Sequence, residues 1–110
     1  MGPILDSFSN LTSLISLDLS INSISRTIPP SLGRLTVLHD LMLSDNNITG
    51  TIPPELANAT SLVQLQVDTN EISGLIPPDL GRLTALQVLF AWQNQLEGAI
   101  PPTLASLSNL

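Results

Sequence analysis

Apolar positions along this chain recur on a ruler of 24 residues, far longer than the turn of a helix or the pleat of a strand. One column is Leu14, Leu38, Leu62, Leu86 and Leu110; a second is Leu17, Leu41, Leu65 and Leu89; a third is Leu19, Leu43, Val67 and Ala91. Ile28, Ile52, Ile76 and Ile100 form a fourth, each followed by a Pro-Pro pair that together take eight of the nine prolines. A polar column keeps the same step: Asn22, Asn46, Asn70 and Asn94. Self-similarity at such a period is the mark of a stacked array, in which each unit buries its apolar edge against the next.

The consensus reads LxxLxxLxLxxNxIxGxIPPxLxx and divides the chain into one uninterrupted array over 1–110. Complete units fall at 11–34, 35–58, 59–82 and 83–106, with 1–10 as the tail of an earlier unit and 107–110 as the start of another. Each column has a physical reading. In Leu17-Asp18-Leu19 and its equivalents, apolar and variable residues alternate, which predicts a short strand with one buried face. Such strands stack in parallel about 4.8 Å apart. Asn22, Asn46, Asn70 and Asn94 are expected to turn inward as a structural ladder, their amides satisfying backbone groups of neighbouring coils. The Pro-Pro pair keeps a helix from forming directly after the strand. Gly50, Gly74 and Gly98 allow a tight backbone, and Arg26 in the same column signals an altered back surface. Leu32, Leu56, Leu80 and Leu104 should bring the chain back to the core through a short helical turn. The predicted fold is an α/β solenoid, with parallel strands on the concave face and short helical turns and loops on the convex face.

The motifs "NNITGTIPPEL", "NEISGLIPPDLGRL" and "NQLEGAIPPTLASL" resemble the plant-specific class of leucine-rich repeats. Within that class, "LMLSDNNITGTIPPELANATSLVQLQVDTNEISGLIPPDLGRL" followed by "FAWQNQLEGAIPP" is similar to ectodomains of receptor-like kinases of the peptide-sensing branch, including receptors for root meristem growth factor peptides. The resemblance covers essentially the whole chain. It implies an apoplastic, single-pass receptor with a cytoplasmic Ser/Thr kinase, a secreted peptide or protein as ligand, and a co-receptor. The cysteine-paired caps of such ectodomains have no counterpart here. Nor have the paired arginines that hold a peptide's terminal carboxylate, since Arg26, Arg34 and Arg82 are expected outside the strands. The alternatives are a soluble inhibitor or defence protein of the polygalacturonase-inhibitor kind, and a stand-alone scaffold.

Strand residues that alternate with the core columns face outward in four rows: Ser16, Asp40, Gln64, Val88; Asp18, Met42, Gln66, Phe90; Ser20, Ser44, Asp68, Trp92; and Ile21, Asp45, Thr69, Gln93. The candidate ligand contacts among them are Asp18, Met42, Gln66, Asp68, Phe90 and Trp92. Phe90 and Trp92 share a face beside Gln66 and Asp68, an aromatic platform near a carboxylate that suits a peptide bearing Pro, His, Lys or Arg. They could instead lean over the gap that Ala91 leaves in its column. The aspartates could likewise be no more than a solvated face.

Charge and composition narrow the rest. The 110 residues carry three arginines, no lysine and a formal net charge of −6, which excludes the basic footprint of a nucleic-acid binder. With only Phe8, Phe90 and Trp92 as aromatics, the core must be aliphatic. The absence of cysteine fits either a cytosolic chain or an internal piece of a larger secreted protein. No apolar run is long enough to span a bilayer, and 1–10 has neither the basic start nor the apolar run of a signal peptide. His39 is the one histidine, and its neighbour Asp40 points to the opposite side of a strand, so no catalytic dyad is read here. Gly33-Arg34 and Gly81-Arg82 are repeat columns rather than a phosphate loop, and no metal or cofactor site is assigned. Three sequons begin at Asn10, Asn47 and Asn58, candidate glycosylation sites that favour a secreted chain whose working place is the outer face of the plasma membrane. The leucines at both ends, Leu11, Leu14, Leu17 and Leu19 at one and Leu86, Leu89 and Leu104 at the other, are expected to form sticky open edges.

Overall fold

The computed structural model describes residues 2–4 and 6–107; the predicted columns' Leu110, with the start of the last partial repeat at 108–110, lies outside the described residues. Each coil runs strand, second strand, 3-10 helix. In chain order the elements are η1 (Asp6–Asn10), β1 (Ser16–Asp18), β2 (Ser25–Arg26), η2 (Pro30–Arg34), β3 (Asp40–Met42), β4 (Asn47–Ile48), η3 (Pro54–Asn58), β5 (Gln64–Gln66), β6 (Ser73–Gly74), η4 (Pro78–Arg82), β7 (Val88–Phe90), β8 (Gln95–Leu96) and η5 (Pro102–Ser106). The helical turns are 3-10 throughout the described residues, so the α of the expected α/β label is a tighter and shorter helix.

The long strands make one parallel sheet in the order β1-β3-β5-β7. Its register follows the 24-residue ruler: Leu17 pairs with Leu41, Leu41 with Leu65 and Leu65 with Leu89. The backbone ladder continues past the strand ends, with Leu43 N bonding Gln66 O at 2.8 Å, Val67 N bonding Phe90 O at 2.8 Å and Thr69 N bonding Trp92 O at 3.0 Å. The two-residue strands form a second parallel series, β2 with β4 and β6 with β8, beyond the single strand per repeat that the column pattern predicts. Glu71 N to Ile48 O and Ser73 N to Gly50 O, 2.9 and 2.8 Å, carry the ladder between those pairs. Here the register is different. Ser25 pairs with Asn47 and Ser73 with Gln95, two residues short of the full repeat. Arg26 therefore lies in a strand, contrary to expectation, though in this second series and not in the main sheet.

The Pro-Pro pair has a division of labour. The first proline is buried and extended, with φ of −67, −70 and −64° at Pro29, Pro53 and Pro77. The second is exposed and opens the helix, a position where a missing N–H costs nothing. The pair thus starts the helix one residue on. Leu32, Leu56 and Leu80 then return to the core with no exposed surface.

A continuous cluster from Ile4 to Leu107 forms the core, and it is wholly aliphatic among its fully buried members. Leu86 and Leu104 belong to it at 0 and 4% exposure, so the expected open edge around them is largely closed by the coil itself and by buried Leu107. Leu89 is half-buried, as are Leu14, Leu17 and Leu19 at the other end, where Leu11 is exposed.

Candidate functional site

The ladder asparagines fix the geometry of the face above them. Asn46, buried, donates from Nδ2 to Leu19 O, Leu43 O and Ser44 O at 3.0, 3.1 and 3.2 Å, and its Oδ1 accepts from Ile24 N at 3.0 Å. Asn70 and Asn94 repeat this one and two coils on, taking Ile48 N and Ile72 N. The carbonyls of Leu43 and Val67 each accept from two successive ladder amides, which locks consecutive coils together. Among the described residues the Asn22 side chain makes two local bonds, to Leu19 O and Ser20 O. Just before each ladder asparagine the backbone turns through the left-handed region, with φ of 54, 55, 57 and 51° at Ile21, Asp45, Thr69 and Gln93. A residue that is not glycine is strained there, Ile21 and Thr69 most of all because they branch at Cβ. The turn puts the amide inside, and the bonds it makes hold the strain.

With the framework fixed, the alternating residues of the main sheet face out in register: Asp18 opposite Met42, Met42 opposite Gln66, Gln66 opposite Phe90. Asp18 is exposed and closed on itself. Ser20 donates to Asp18 Oδ1 from its hydroxyl and from its backbone N, the latter at 3.0 Å, and these bonds, the hydroxyl's first, hold the carboxyl below its ordinary range. Met42 and Gln66 are half-buried, and Gln66 Nε2 donates to Gln64 Oε1 at 3.1 Å. Asp68 is not an open carboxylate: it is 8% exposed, Ser44 Oγ donates to its Oδ1 at 2.6 Å, and Thr69 Oγ1 lies 3.2 Å from its Oδ2. The same threonine hydroxyl is 2.9 Å from Gln93 Oε1. A run of linked polar groups, Ser44, Asp68, Thr69 and Gln93, thus borders the aromatic end of the face.

Phe90 and Trp92 meet each other, ring centroids 4.5 Å apart and planes tilted by 42°. Trp92 is 53% exposed, while Ala91 between them packs against the core. Successive strand residues point to opposite sides, so the two rings leave the chain on the side away from the Ala91 side chain. With Val88, two residues earlier, they make one strand's worth of apolar surface beside the polar side chains of Gln64, Gln66 and Asp68.

The remaining candidates lie elsewhere. Asn10 and Asn58 end η1 and η3 and are exposed; Asn47 is exposed in β4. Arg34 and Arg82 end η2 and η4, away from the main sheet, and Arg82 pairs at the surface with Asp79 at 3.8 Å. His39 is exposed, with Nδ1 2.9 Å from Val37 O. Among the described residues no group of acidic, histidine or cysteine side chains is arranged to hold a metal ion, and no helix is long and apolar enough to cross a membrane. Neither the second strand series nor the left-handed column shows in the sequence pattern. The positions before the asparagines, Ile21, Asp45, Thr69 and Gln93, share no residue type that would signal either.

The repeated coils, their asparagine ladder and the exposed main sheet are those of a recognition solenoid. The leucine-rich repeat family model matches residues 13–35, 37–59 and 61–83, and the chain belongs to that family. No curated protein matches it in sequence. Among solved structures it is similar to the plant peptide hormone receptor RGFR1 in complex with RGF2, at 44% identity and a TM-score of 0.97 over 99% of this chain and 18% of that one. It is also similar to the leucine-rich-repeat ectodomain of the receptor kinase GASSHO1/SCHENGEN3 from Arabidopsis thaliana, solved with Casparian strip integrity factor 2, at 39% identity and 0.96 over 99% of this chain and 13% of that one. The Arabidopsis receptor kinase HAESA, solved with the peptide hormone IDA and the co-receptor SERK1, gives 42% and 0.92 over 99% and 19%. The chain thus spans less than a fifth of the length of each of these proteins.

Proposed function

We propose that this chain is a non-catalytic recognition segment of a plant receptor kinase ectodomain, working at the outer face of the plasma membrane. A secreted peptide or protein is its ligand, and a second leucine-rich-repeat receptor serves as co-receptor. The kinase and the membrane span of that receptor belong to other parts of the protein. The observation that carries this reading is the 44% identity to RGFR1 at a TM-score of 0.97, over a framework whose exposed rows vary while the buried columns repeat.

The face that meets the ligand is the main sheet, through Asp18, Met42, Gln66, Phe90 and Trp92, with Asp68 shaping the surface from beneath as the acceptor of Ser44. Four strands at about 4.8 Å spacing span roughly 15 Å, so this segment holds only about four or five residues of an extended ligand. The rest of the binding energy comes from neighbouring coils. The exposed ring of Trp92 suits a proline or a cationic side chain of the ligand.

The test is Phe90→Ala and Trp92→Ala in the whole ectodomain, titrated calorimetrically with synthetic RGF2 and IDA peptides. Loss of binding at an unchanged melting temperature is expected. If the rings only pack, stability falls by a few kcal/mol, in the manner of other large-to-small core changes. Lower stability with unaltered affinity of the folded fraction would reject the ligand role.

A further inference from the structure

The chain spells Asn-X-Thr three times, at Asn10-Leu11-Thr12, Asn47-Ile48-Thr49 and Asn58-Ala59-Thr60. The structure separates its asparagines into two kinds. In Asn46, Asn70 and Asn94 the amide nitrogen is engaged by three carbonyls, and a substituent on it would break the ladder. None of the ladder asparagines is itself the first residue of a sequon. Asn10, Asn47 and Asn58 are all exposed. The one side-chain bond found among these three goes to Asn58 Oδ1, from Arg82 Nη1 at 3.5 Å. That oxygen is retained when the nitrogen is substituted, so the contact survives.

We propose that Asn10, Asn47 and Asn58 are acceptors of N-linked glycans, placed so that sugar covers the helical flank and the second strand series and leaves the main sheet bare. This rests on the extracellular reading above. In the transfer, Asn Nδ2 attacks the anomeric carbon of an oligosaccharide activated as a lipid diphosphate. The C–N bond forms, the bond from that carbon to the diphosphate oxygen breaks, the amide loses one proton, and the lipid diphosphate leaves.

Local structure fits this chemistry at two sites with particular clarity. Ile48 and Ala59, the middle residues, are wholly buried, while Asn47 and Thr49, and Asn58 and Thr60, are exposed. The buried residue anchors the segment and presents acceptor amide and hydroxyl together on the outside. Asn10 and Asn58 occupy equivalent positions at the ends of η1 and η3. They are two coils apart, roughly 10 Å at strand spacing, with Arg34 at the position between them. No sequon falls on β1, β3, β5 or β7.

The experiment expresses the chain behind a secretory leader in a eukaryotic cell and collects it from medium and lysate together, so retention does not hide the result. Intact mass is read before and after digestion with a peptide N-glycosidase. Three carbohydrate increments are expected, and Thr12→Ala, Thr49→Ala and Thr60→Ala should each remove one. A mass that digestion leaves unchanged, or increments that persist in the three threonine variants, overturns the proposal. Bare asparagines on a peptide-binding ectodomain would sink the glycan proposal alone. Full glycosylation of an ectodomain that binds neither RGF2 nor IDA would count against the receptor reading alone.

Discussion

Replacing Asn46 by alanine should cost this chain far more than the same change at Asn22, although the two occupy one column. Asn46 Oδ1 is the acceptor for Ile24 N, in a residue 2% exposed, and alanine leaves that N–H in a dry site with no partner. An orphaned buried donor costs about 1–3 kcal/mol. The carbonyls fare better, because Leu19 O keeps Asn22 and Leu43 O keeps Asn70. Their weakening and the vacated side-chain volume bring the total to about 2–4 kcal/mol, against a domain stability on the order of 5–15 kcal/mol. Among the described residues Asn22 Oδ1 accepts no bond, and Asn22 is exposed, so its replacement should cost less than about 1 kcal/mol. Urea unfolding followed by circular dichroism decides the matter. With an m-value of about 1–3 kcal/mol/M, Asn46→Ala should lower the midpoint by roughly 1–2 M at unchanged slope. Two variants of equal stability would refute the idea that the ladder works by reaching across coils.

Further outcomes follow from the backbone and the charges. Gly50 has φ of +76° and an added Cβ would sit 2.6 Å from Thr27 Cγ2, so Gly50→Ala should lose about 1–3 kcal/mol in thermal unfolding; Arg26, at φ 67°, is the strained member of that column, and Arg26→Gly should gain about 0.5–1 kcal/mol. Gly33 packs so closely that a Cβ would lie 2.2 Å from the backbone oxygen of Glu55, and Gly33→Ala should separate η2 from η3 and lower the melting temperature by several degrees. Because Asp18 titrates below its ordinary range in the folded chain, the Ser20 bonds stabilise the fold above the ordinary carboxylate range, and this contribution fades as pH falls through the lowered value. Ser20→Ala should move the Asp18 carboxyl titration, read by NMR, back towards that of a free carboxylate.

The main sheet was legible because two independent periods agree in it. The 24-residue spacing of Leu41 and Leu65 sets the register, and the two-residue alternation around them sets which side chains face out. The second strand series was not, since Ser25-Arg26 or Ser73-Gly74 is too short to show any alternation. Nor was the left-handed turn, because its signal is usually glycine or asparagine and here the positions hold Ile21, Asp45, Thr69 and Gln93. At the site, alternation correctly placed Phe90 and Trp92 on one face, where the rings now prove to touch. It could not show that Asp68 is drawn down by Ser44 from the neighbouring coil, since that contact spans 24 residues and depends on the depth of the side chain.

The unequal registers of the two strand series carry a consequence for anything that lies along the molecule. Main-sheet strands stack without slip, whereas the second series slips by two residues at every coil, about 6–7 Å of strand length. A stack held square on one side and skewed on the other cannot be a straight column; each coil is rotated against the one before, and the assembly advances as a screw. Side chains in the same row, such as Asp18 and Phe90, therefore aim in progressively different directions. A ligand tracking the face over many coils must wind with it, and a stiff straight one can touch only a few coils before the surface turns away.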